Sequence, residues 1–492
     1  MNNLVVMPLI VPIMMGIILV FFRNQIRAQR ILSLVTMLSL IIISIILLKN
    51  IQVKGIIRLD FGGWVPPYGI SFVADSFSVL LVLIASVVTS ICLIYAYSSI
   101  GIKHETMYFY PFVLFMIAGV NGSFLTGDIF NLFVCFEVML LASYALVALG
   151  GDKIQLRESL KYVMINVLAS WFFLVALAYL YGTLGTLNMA HLSARIAENG
   201  QDALLTSISL LFLLVFALKA GLLLFFWLPG SYSVPPTAVA ALYAALLTKV
   251  GIYALIRMFT LVFYHRPEIT HVLIEGMAAV TIIAGCLGAI AYKDLRKVVT
   301  YNVIIGVGFV LMGLGVATDA TLQGSIYYLM HDMIAKAMLF LIVGTMISLT
   351  GENRFDRMSG LIRHYPLFGW LFFAVMISLA GIPPFSGFVG KILIGQGLIE
   401  TDSYFLLAIG FFSSVVVLYS LLRVFLQAIF GETSVSIGDE KPLPKGQLIP
   451  ILLLACCTFG LGFGAESFSS FVEDATKTLV NPEIYIQSVL EK

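Results

Sequence analysis

Helix-length apolar runs follow one another along almost the whole of the 492-residue chain. A helix that crosses the hydrocarbon core of a bilayer needs about 20 mostly apolar residues, and we count about 14 such runs. Charged residues make up 11% of the chain, whereas soluble domains carry about 25%. The strands of a membrane β-barrel would instead alternate apolar and polar residues. The sequence therefore predicts an all-α membrane protein with about 14 transmembrane helices.

The predicted membrane domain covers residues 1–468 and contains no polar stretch long enough to fold as a soluble domain. Residues 469–492 form a polar tail, for which we expect an amphipathic helix on the membrane surface. Alternate loops, of which the first holds Arg23, Arg27 and Arg30, carry roughly twice as many basic residues as the others. These richer loops are predicted to be cytoplasmic, which places both termini on the outer side. No basic stripe indicates a surface for nucleic acid.

Two of the apolar segments are interrupted by Pro and Gly. They read "FALKAGLLLFFWLPGSYSVPP" at residues 216–236 and "SLAGIPPFSGFVGKILIGQG" at residues 378–397, and each holds one lysine beside the interruption, Lys219 and Lys391. Paired broken helices in the two halves of a chain are typical of transporters built from inverted repeats. Unwound backbone at membrane depth must be buried in protein or line a wet cavity. The pattern therefore indicates an ion pathway.

Five charged side chains lie within otherwise apolar runs: Glu137, in "NLFVCFEVMLLASYALVAL", and Lys219, Lys249, Lys336 and Lys391. Each charge at the centre of a membrane helix costs about 2.5–3.5 kcal/mol. Five unpaired charges would therefore cost roughly 12–17 kcal/mol, which is comparable with the stability of a whole domain. Such a set persists only if the groups pair, are hydrated, or are neutral for part of the time.

A buried lysine suits proton transfer because burial favours its neutral form and a nearby carboxylate favours its charged form. We therefore hypothesise that Glu137 and Lys219 form a proton switch whose contact forms and breaks. Lys249, Lys336 and Lys391 would extend this switch as a lateral relay. The alternative is a static buried ion pair that fixes how the helices pack.

Three further residues are weaker candidates for the relay. His331 titrates near neutral pH and could carry a proton, but a histidine that is simply hydrogen-bonded in a polar pocket explains it equally well. Asp332 follows it directly and is expected to pair with His331 or with Lys336. Lys161 is expected at the cytoplasmic interface, and access to the relay is the less favoured interpretation of this residue.

The remaining polar motifs predict structure rather than chemistry. Asp75 and Asp128 each precede a helix-length apolar run and are predicted to be N-caps. The five cysteines lie in apolar runs without a CxxC spacing, which favours a packing role. We find no Walker motif, no dinucleotide fingerprint and no His/Cys cluster with metal-ligand spacing. The sequence therefore predicts neither a cofactor nor a metal site.

Five stretches resemble, in the same order, motifs of the proton-pumping antiporter-like subunits that occur in respiratory complex I and in multisubunit Mrp Na+/H+ antiporters. They are "GDIFNLFVCFEVMLLASYAL", "ALKAGLLLFFWLPGSYSVPPTAVAALYAALLTKVGIYALIR", "KDLRKVVTYNVIIGVG", "AKAMLFLIVGTM" and "LAGIPPFSGFVGKILI". The resemblance covers nearly the whole chain. It implies 14 transmembrane helices, two inverted five-helix repeats, and breaks in helices 7 and 12.

The resemblance also implies roles for individual residues. The family's fifth-helix glutamate falls on Glu137, and its seventh-helix and eighth-helix lysines fall on Lys219 and Lys249. The eleventh-helix lysine falls on Lys336 and the twelfth-helix charge on Lys391. These are the same groups that the apolar context singles out.

One departure from the family pattern distinguishes its branches. Members from complex I usually carry a histidine four residues before the lysine that matches Lys336, whereas here that position is Asp332 and His331 is shifted by one residue. The resulting "HD" pattern resembles the Mrp branch. This branch implies a proton-translocating subunit that works with A, B, C, E, F and G subunits in a bacterial cell membrane. Such a complex uses the proton motive force to expel Na+.

Two other interpretations remain open. The chain could be a proton-pumping subunit of complex I or of a related membrane-bound hydrogenase, in which case redox subunits would be its partners. It could also be a non-transporting scaffold subunit whose buried charges only fix helix packing. Substitutions of Glu137 and Lys219 that assemble but do not transport would argue against the scaffold.

Overall fold

The structure is a computed structural model that describes residues 2–431 and 442–491. The first half of the chain begins with helices α1 to α5, which are Met7–Phe21, Ile26–Lys54, Ser76–Ser99, Phe109–Leu125 and Ile129–Val147. The next four, α6 to α9, are Lys153–Leu184, Met189–Asn199, Ala203–Ala220 and Thr237–Leu261. Strands β1 (Ile57–Asp60) and β2 (Ser71–Ala74) pair antiparallel between α2 and α3.

The second half continues with α10 to α14, which are Pro267–Ala291, Leu295–Val316, Asp319–Thr350, Pro366–Ala380 and Ser386–Glu400. The last four helices, α15 to α18, are Tyr404–Ile429, Lys445–Phe463, Ala465–Val480 and Pro482–Leu490. Single-turn helices lie at Ile102–Glu105, Leu228–Ser231 and Leu361–His364.

Eleven of the described helices are long and apolar enough to cross a membrane, and three shorter apolar helices accompany them. The prediction of an all-α membrane protein is therefore confirmed. Helix α12 lies at the centre of the bundle, where it packs against α3, α9, α11, α14, α16 and α17. Asp332 and Lys336, near the middle of α12, are consequently shut off from both lipid and water.

The two ends of the bundle have different connections. At one end, which we call the hairpin face, β2 meets Thr126 through an isolated bridge, and α7 packs against α18. At the opposite face, the Arg296 guanidinium donates to the carbonyl oxygens of Ser233 and Pro235 at 2.8 and 3.1 Å. The distribution of basic loops predicts that the opposite face is cytoplasmic and that the hairpin face lies on the outer side.

One backbone motif occurs at both faces. Asp128 caps the N-terminus of α5 and forms an isolated bridge with Asn188, which follows α6. Asp294 caps the N-terminus of α11 and forms the same kind of bridge with Arg354, which follows α12. The first motif lies at the hairpin face and the second at the opposite face. Such a relationship is what inverted repeats would produce, although the repeats and the count of 14 spans stay predictions.

The two Pro/Gly-rich segments break their helices. Helix α8 ends at Ala220, and the Leu223 amide in the unwound stretch donates to the Thr281 hydroxyl at 2.7 Å. The Trp227 indole N–H donates to the Leu218 carbonyl oxygen at 3.1 Å, which satisfies a carbonyl at the end of α8. Helix α13 ends at Ala380, and α14 begins only at Ser386. Both breaks leave a lysine close to the end of a half-helix.

The residues after the last long helix form two helices that close the hairpin face. Helix α17 is amphipathic and buries Val472, Ala475 and Leu479 against the bundle. Helix α18 follows it and packs on α7. The tail therefore packs against the hairpin face of the bundle. One side of α17 and helix α18 make the contacts.

Candidate functional site

The first group of buried polar residues joins Glu137 to Lys219 through a serine. Ser170 on α6 donates its hydroxyl proton to Glu137 Oε1 on α5. The Lys219 ammonium on α8 in turn donates to Ser170 Oγ at 3.2 Å. Lys219 Nζ also lies 4.9 Å from the centre of the Phe136 ring, where a cation is stabilised by the aromatic face. We call Glu137, Ser170 and Lys219 the first cluster.

Local structure explains why this cluster forms at these positions. Lys219 lies in the last turn of α8, where the unpaired carbonyl groups of the helix end favour a positive charge. Its side chain is only 4% exposed, whereas Glu137 is half-buried. The Ser170 hydroxyl can both accept a hydrogen bond and donate one. A proton could therefore pass between Lys219 and Glu137 without direct contact between them.

The second cluster consists of Lys249, Asp332 and Lys336. The Lys249 ammonium on α9 lies 2.8 Å from Asp332 Oδ2, and the Lys336 ammonium lies 3.4 Å from Asp332 Oδ1. The carboxylate fits against α11 because Gly306 has no side chain there: a Cβ at that residue would lie 2.8 Å from Asp332 Oδ1. Lys249 also donates to the Ala244 carbonyl oxygen at 2.8 Å.

The charges of the second cluster do not balance when all three groups are ionised. Two ammonium groups then share one carboxylate in a fully buried site, and the net charge is positive. Because an uncompensated buried charge is costly, the loss of one proton from either lysine would relieve the excess. Lys249 and Lys336 thus share Asp332 as a single counter-charge.

Lys391 lies beside the break between α13 and α14. Its ammonium donates to the carbonyl oxygens of Leu379 and Ala380 at 2.9 and 3.0 Å, which are at the end of α13. It also donates to the Ser414 hydroxyl on α15 at 2.8 Å. The ring centres of Phe309 and Tyr328 lie 5.4 and 5.8 Å from the ammonium. Helix-end carbonyls and aromatic faces thus hold a cation here, with no acidic side chain in ion-pair contact among the residues that the structure describes.

His331 belongs to this region rather than to the second cluster. Its Nδ1 lies 2.8 Å from the Ser386 hydroxyl at the start of α14, and its ring packs on that of Tyr328. The Nε2 atom has no hydrogen-bond partner among the described residues. Successive residues of a helix point about 100° apart, so His331 turns away from the row that holds Asp332 and Lys336. We call His331, Ser386 and Lys391 the third cluster.

Seven of the eight residues singled out in the sequence lie in the three clusters. They are Glu137, Lys219, Lys249, His331, Asp332, Lys336 and Lys391. Lys161 lies apart from them, half-exposed, with its ammonium 2.7 Å from Glu158. Asp332 was expected to pair with His331 or with Lys336. It pairs with Lys336 and also with Lys249.

Several polar residues of the site escaped the sequence analysis. Ser170 bridges two charged groups, whereas Ser386 contacts His331 and Ser414 contacts Lys391. Serine is common in membrane helices and gives no signal by itself. Arg257 on α9 was missed as well, and its guanidinium lies 2.6 Å from Asp75 Oδ2 in a fully buried ion pair. Asp75 caps α3, as predicted, and the pair ties α3 to α9 at the hairpin face. An arginine inside an apolar run was the signal that could have identified it.

Known proteins resemble this chain along its full length. Residues 126–417 match the family described as "NADH:quinone oxidoreductase/Mrp antiporter, TM". The D subunit of the Na+/H+ antiporter of Bacillus subtilis (strain 168) is 46% identical, and the match covers 100% of both chains. The antiporter protein of the same name from Alkalihalophilus pseudofirmus is 44% identical, again over 100% of both chains.

A solved structure has the same architecture. A chain of the Mrp complex from Dietzia sp. DQ12-45-1b superposes with a TM-score of 0.93 at 27% identity, and the match covers 99% of each chain. The resemblance that the "HD" pattern indicated is thereby confirmed. This chain therefore belongs to the NADH:quinone oxidoreductase/Mrp antiporter family of membrane proteins.

Proposed function

We propose that this chain is the D subunit of a multisubunit Na+/H+ antiporter in a bacterial plasma membrane. Two relatives that match it from end to end are named as the D subunit of a Na+/H+ antiporter, and the matched Dietzia structure is of an Mrp complex. The chain would accordingly work with A, B, C, E, F and G subunits. It would be part of a transporter rather than an enzyme, with H+ and Na+ as the transported ions.

Within that complex the chain would carry protons through its buried lysines. The observation that carries this proposal is the bridge from Lys219 through the Ser170 hydroxyl to Glu137. A hydroxyl between an ammonium and a carboxylate can accept a proton from one side and give its own proton to the other. The first cluster can therefore change its charge state by small movements of hydrogen-bonded groups.

A change in the charge of the first cluster would alter the protonation of the second cluster. Lys249 and Lys336 share one carboxylate, so a positive charge nearby favours loss of a proton from one of them. The third cluster would be the next group along the proton route, since Lys391 and His331 both lie against the Tyr328 ring. Coulombic coupling between neighbouring clusters would thus pass a proton transfer from one half of the chain to the other.

The proton motive force would drive these proton transfers, and Na+ expulsion elsewhere in the complex or along the same chain would be coupled to them.

A scaffold protein would need balanced ion pairs, because an excess buried charge destabilises a static structure. The second cluster has two lysines for one aspartate, which favours a role in proton transfer over a purely structural one.

The test is antiport by the complete complex with Lys219→Ala. Everted vesicles that contain all subunits are energised, Na+ is added, and the collapse of the pH gradient is recorded. We expect loss of the Na+ response with assembly intact, because Glu137 then lacks the lysine with which it exchanges a proton. Lys153→Ala, at an exposed lysine at the start of α6, is the control and should behave as the parent. A full response from Lys219→Ala would overturn the proton route.

A further inference from the structure

An apolar groove of about 570 Å³ runs along the side of the bundle between α10 and α15. Both helices are long and apolar enough to cross a membrane. The residues that line the groove lie between Ile282 and Ile290 on α10 and between Phe405 and Val416 on α15, and their side chains are aliphatic or aromatic apart from one cysteine. Several of them are open to the surroundings of the bundle, so the groove faces the hydrocarbon of the bilayer.

The shape of the groove suits a hydrocarbon chain better than a helix of another subunit. Its wall on α15, from Phe405 to Val416, rises about 16 Å, which is close to half of the roughly 30 Å hydrocarbon core of a bilayer. A helix with its side chains is about 10–12 Å wide, so a space of about 570 Å³ takes up little more than one turn of such a helix. An acyl chain is thinner and can follow the groove along its length.

Arg423 of α15 lies at the end of the groove that belongs to the opposite face. Its guanidinium reaches across to the end of α10, where it donates to the carbonyl oxygens of Ile290 and Tyr292 at 2.9 and 2.7 Å. Both acceptors are neutral, so they do not balance the charge of the guanidinium. Two of its five N–H groups are used in these hydrogen bonds, which leaves others for an anion.

A second cation lies beside the same residue of α10. Lys297 Nζ lies 4.7 Å from the centre of the Tyr292 ring, and this ring stacks on that of Tyr301 at a distance of 5.4 Å between ring centres. Tyrosines and basic side chains are typical of the headgroup level of a membrane. The opposite face is the one predicted to be cytoplasmic, and the cytoplasmic leaflet carries anionic lipids. The charge at this end of the groove therefore complements an anionic headgroup.

We propose that this groove binds an anionic phospholipid of the cytoplasmic leaflet, with its phosphate on Arg423 and Lys297 and an acyl chain between α10 and α15. Basic pockets between transmembrane helices on the cytoplasmic side bind the headgroups of anionic lipids. The planar fork of an arginine suits the oxygens of a phosphate, and the apolar walls exclude a polar ligand from the rest of the groove. Lipid binding at this groove goes beyond the proposed function and does not depend on proton transport.

The two helices that form the groove also support the two broken segments. Thr281, which precedes the first groove residue of α10, accepts a hydrogen bond from the Leu223 amide in the first break. Ser414 of α15 accepts one from Lys391 beside the second break. A phospholipid between α10 and α15 therefore contacts the helices that hold both breaks in place.

Photo-cross-linking tests the site in the complete complex. The complex is reconstituted into liposomes with phosphatidylglycerol that carries a diazirine in one acyl chain, and the modified peptides of this chain are identified by mass spectrometry after illumination. Unlabelled phosphatidylglycerol, which is anionic, and phosphatidylethanolamine, which is zwitterionic, serve as competitors.

Two variants change the site in different ways, and each has a matched control. Arg423→Gln removes the charge at the end of the groove, whereas Ala408→Phe fills the groove and leaves the arginine in place. Arg357→Gln, at an exposed arginine of the same face, is the control for charge. Val415→Phe, at an exposed residue of α15 outside the groove lining, is the control for the added ring.

We expect modified peptides from both walls of the groove, at residues 282–290 and 405–416, and competition by unlabelled phosphatidylglycerol but not by phosphatidylethanolamine. Arg423→Gln should lower the modification of these peptides by about fivefold, and Ala408→Phe should lower it at least as much. The two control variants should match the parent. Because Ala408→Phe keeps the arginine that joins α10 to α15, it provides the test even if Arg423→Gln does not assemble.

Three results would overturn the proposal. The first is the absence of modified groove peptides in assembled complex, and the second is equal competition by the two lipids. The third is modification at the parent level in Ala408→Phe. A benzoylphenylalanine placed at residue 409, in the groove wall, identifies the other possible occupant. A cross-link from it to another subunit would show that a protein covers the groove and would likewise overturn the proposal.

Discussion

The Lys249 ammonium lies 2.8 Å from the Asp332 carboxylate, and both side chains are buried. These two residues come from helices far apart in the sequence, and Lys336 approaches the same carboxylate from one turn further along α12. Asp332 thus holds two lysines that would otherwise repel each other in a dry environment.

Removal of that acid should therefore disable both lysines. We expect Asp332→Asn to reduce Na+-dependent antiport by on the order of tenfold or more, because the two lysines lose the charge that stabilises their protonated forms. The assay is the collapse of the pH gradient in everted vesicles, with assembly followed by native electrophoresis. Asp356→Asn, in the exposed loop of the opposite face, is the control. Antiport at the parent level in assembled Asp332→Asn complex would show that the second cluster has no part in transport.

The hydroxyl of Ser170 should matter more than its size. Ser170→Ala removes the bridge between Glu137 and Lys219, and a lost buried hydrogen bond costs about 1–3 kcal/mol. We expect antiport to fall by about tenfold in Ser170→Ala, whereas Ser170→Thr, which keeps a hydroxyl, should retain most of it. Rates are compared at equal amounts of assembled complex. Equal activity of the two variants would mean that Glu137 and Lys219 communicate by another path.

Gly306 provides a test of how closely α11 must approach the second cluster. In Gly306→Ala the new Cβ would lie 2.8 Å from Asp332 Oδ1, so the carboxylate must move. Overpacking of this kind costs about 1–3 kcal/mol, and we expect antiport to fall several-fold together with the melting temperature of the complex. Gly276→Ala on α10, where a Cβ would meet no atom within 4 Å, is the matched control. If the two alanine variants behave alike, Asp332 has more freedom than its packing indicates.

Much of this architecture is predictable from the sequence because a bilayer permits few solutions. The apolar runs indicate helices, the Pro-Pro and Leu-Pro-Gly stretches mark the breaks, and five isolated charges identify most of the site. The turn of His331 away from Asp332 also follows from the angle between successive helix residues. These features depend on composition and on local geometry, both of which can be read directly from the chain.

The connections between helices could not be predicted in the same way. The contact of Asp332 with Lys249 depends on how α9 and α12 pack, which the hydropathy of either helix does not determine. Ser170 stands among several serines of membrane helices, and its bridging role follows only from the positions of α5, α6 and α8.

Under the proposed function Glu137 takes part in coupled proton movement, and antiport by a neutral variant of this residue is the decisive measurement. Everted vesicles with the complete complex, carrying either Glu137 or Glu137→Gln, are energised before Na+ is added, and the collapse of the pH gradient is recorded. Glu268→Gln, at an exposed acid near the start of α10, serves as the control. We expect assembled Glu137→Gln complex to lose the Na+ response and Glu268→Gln complex to keep it. A full Na+ response from Glu137→Gln would exclude Glu137 from the proton route and leave it with a structural role.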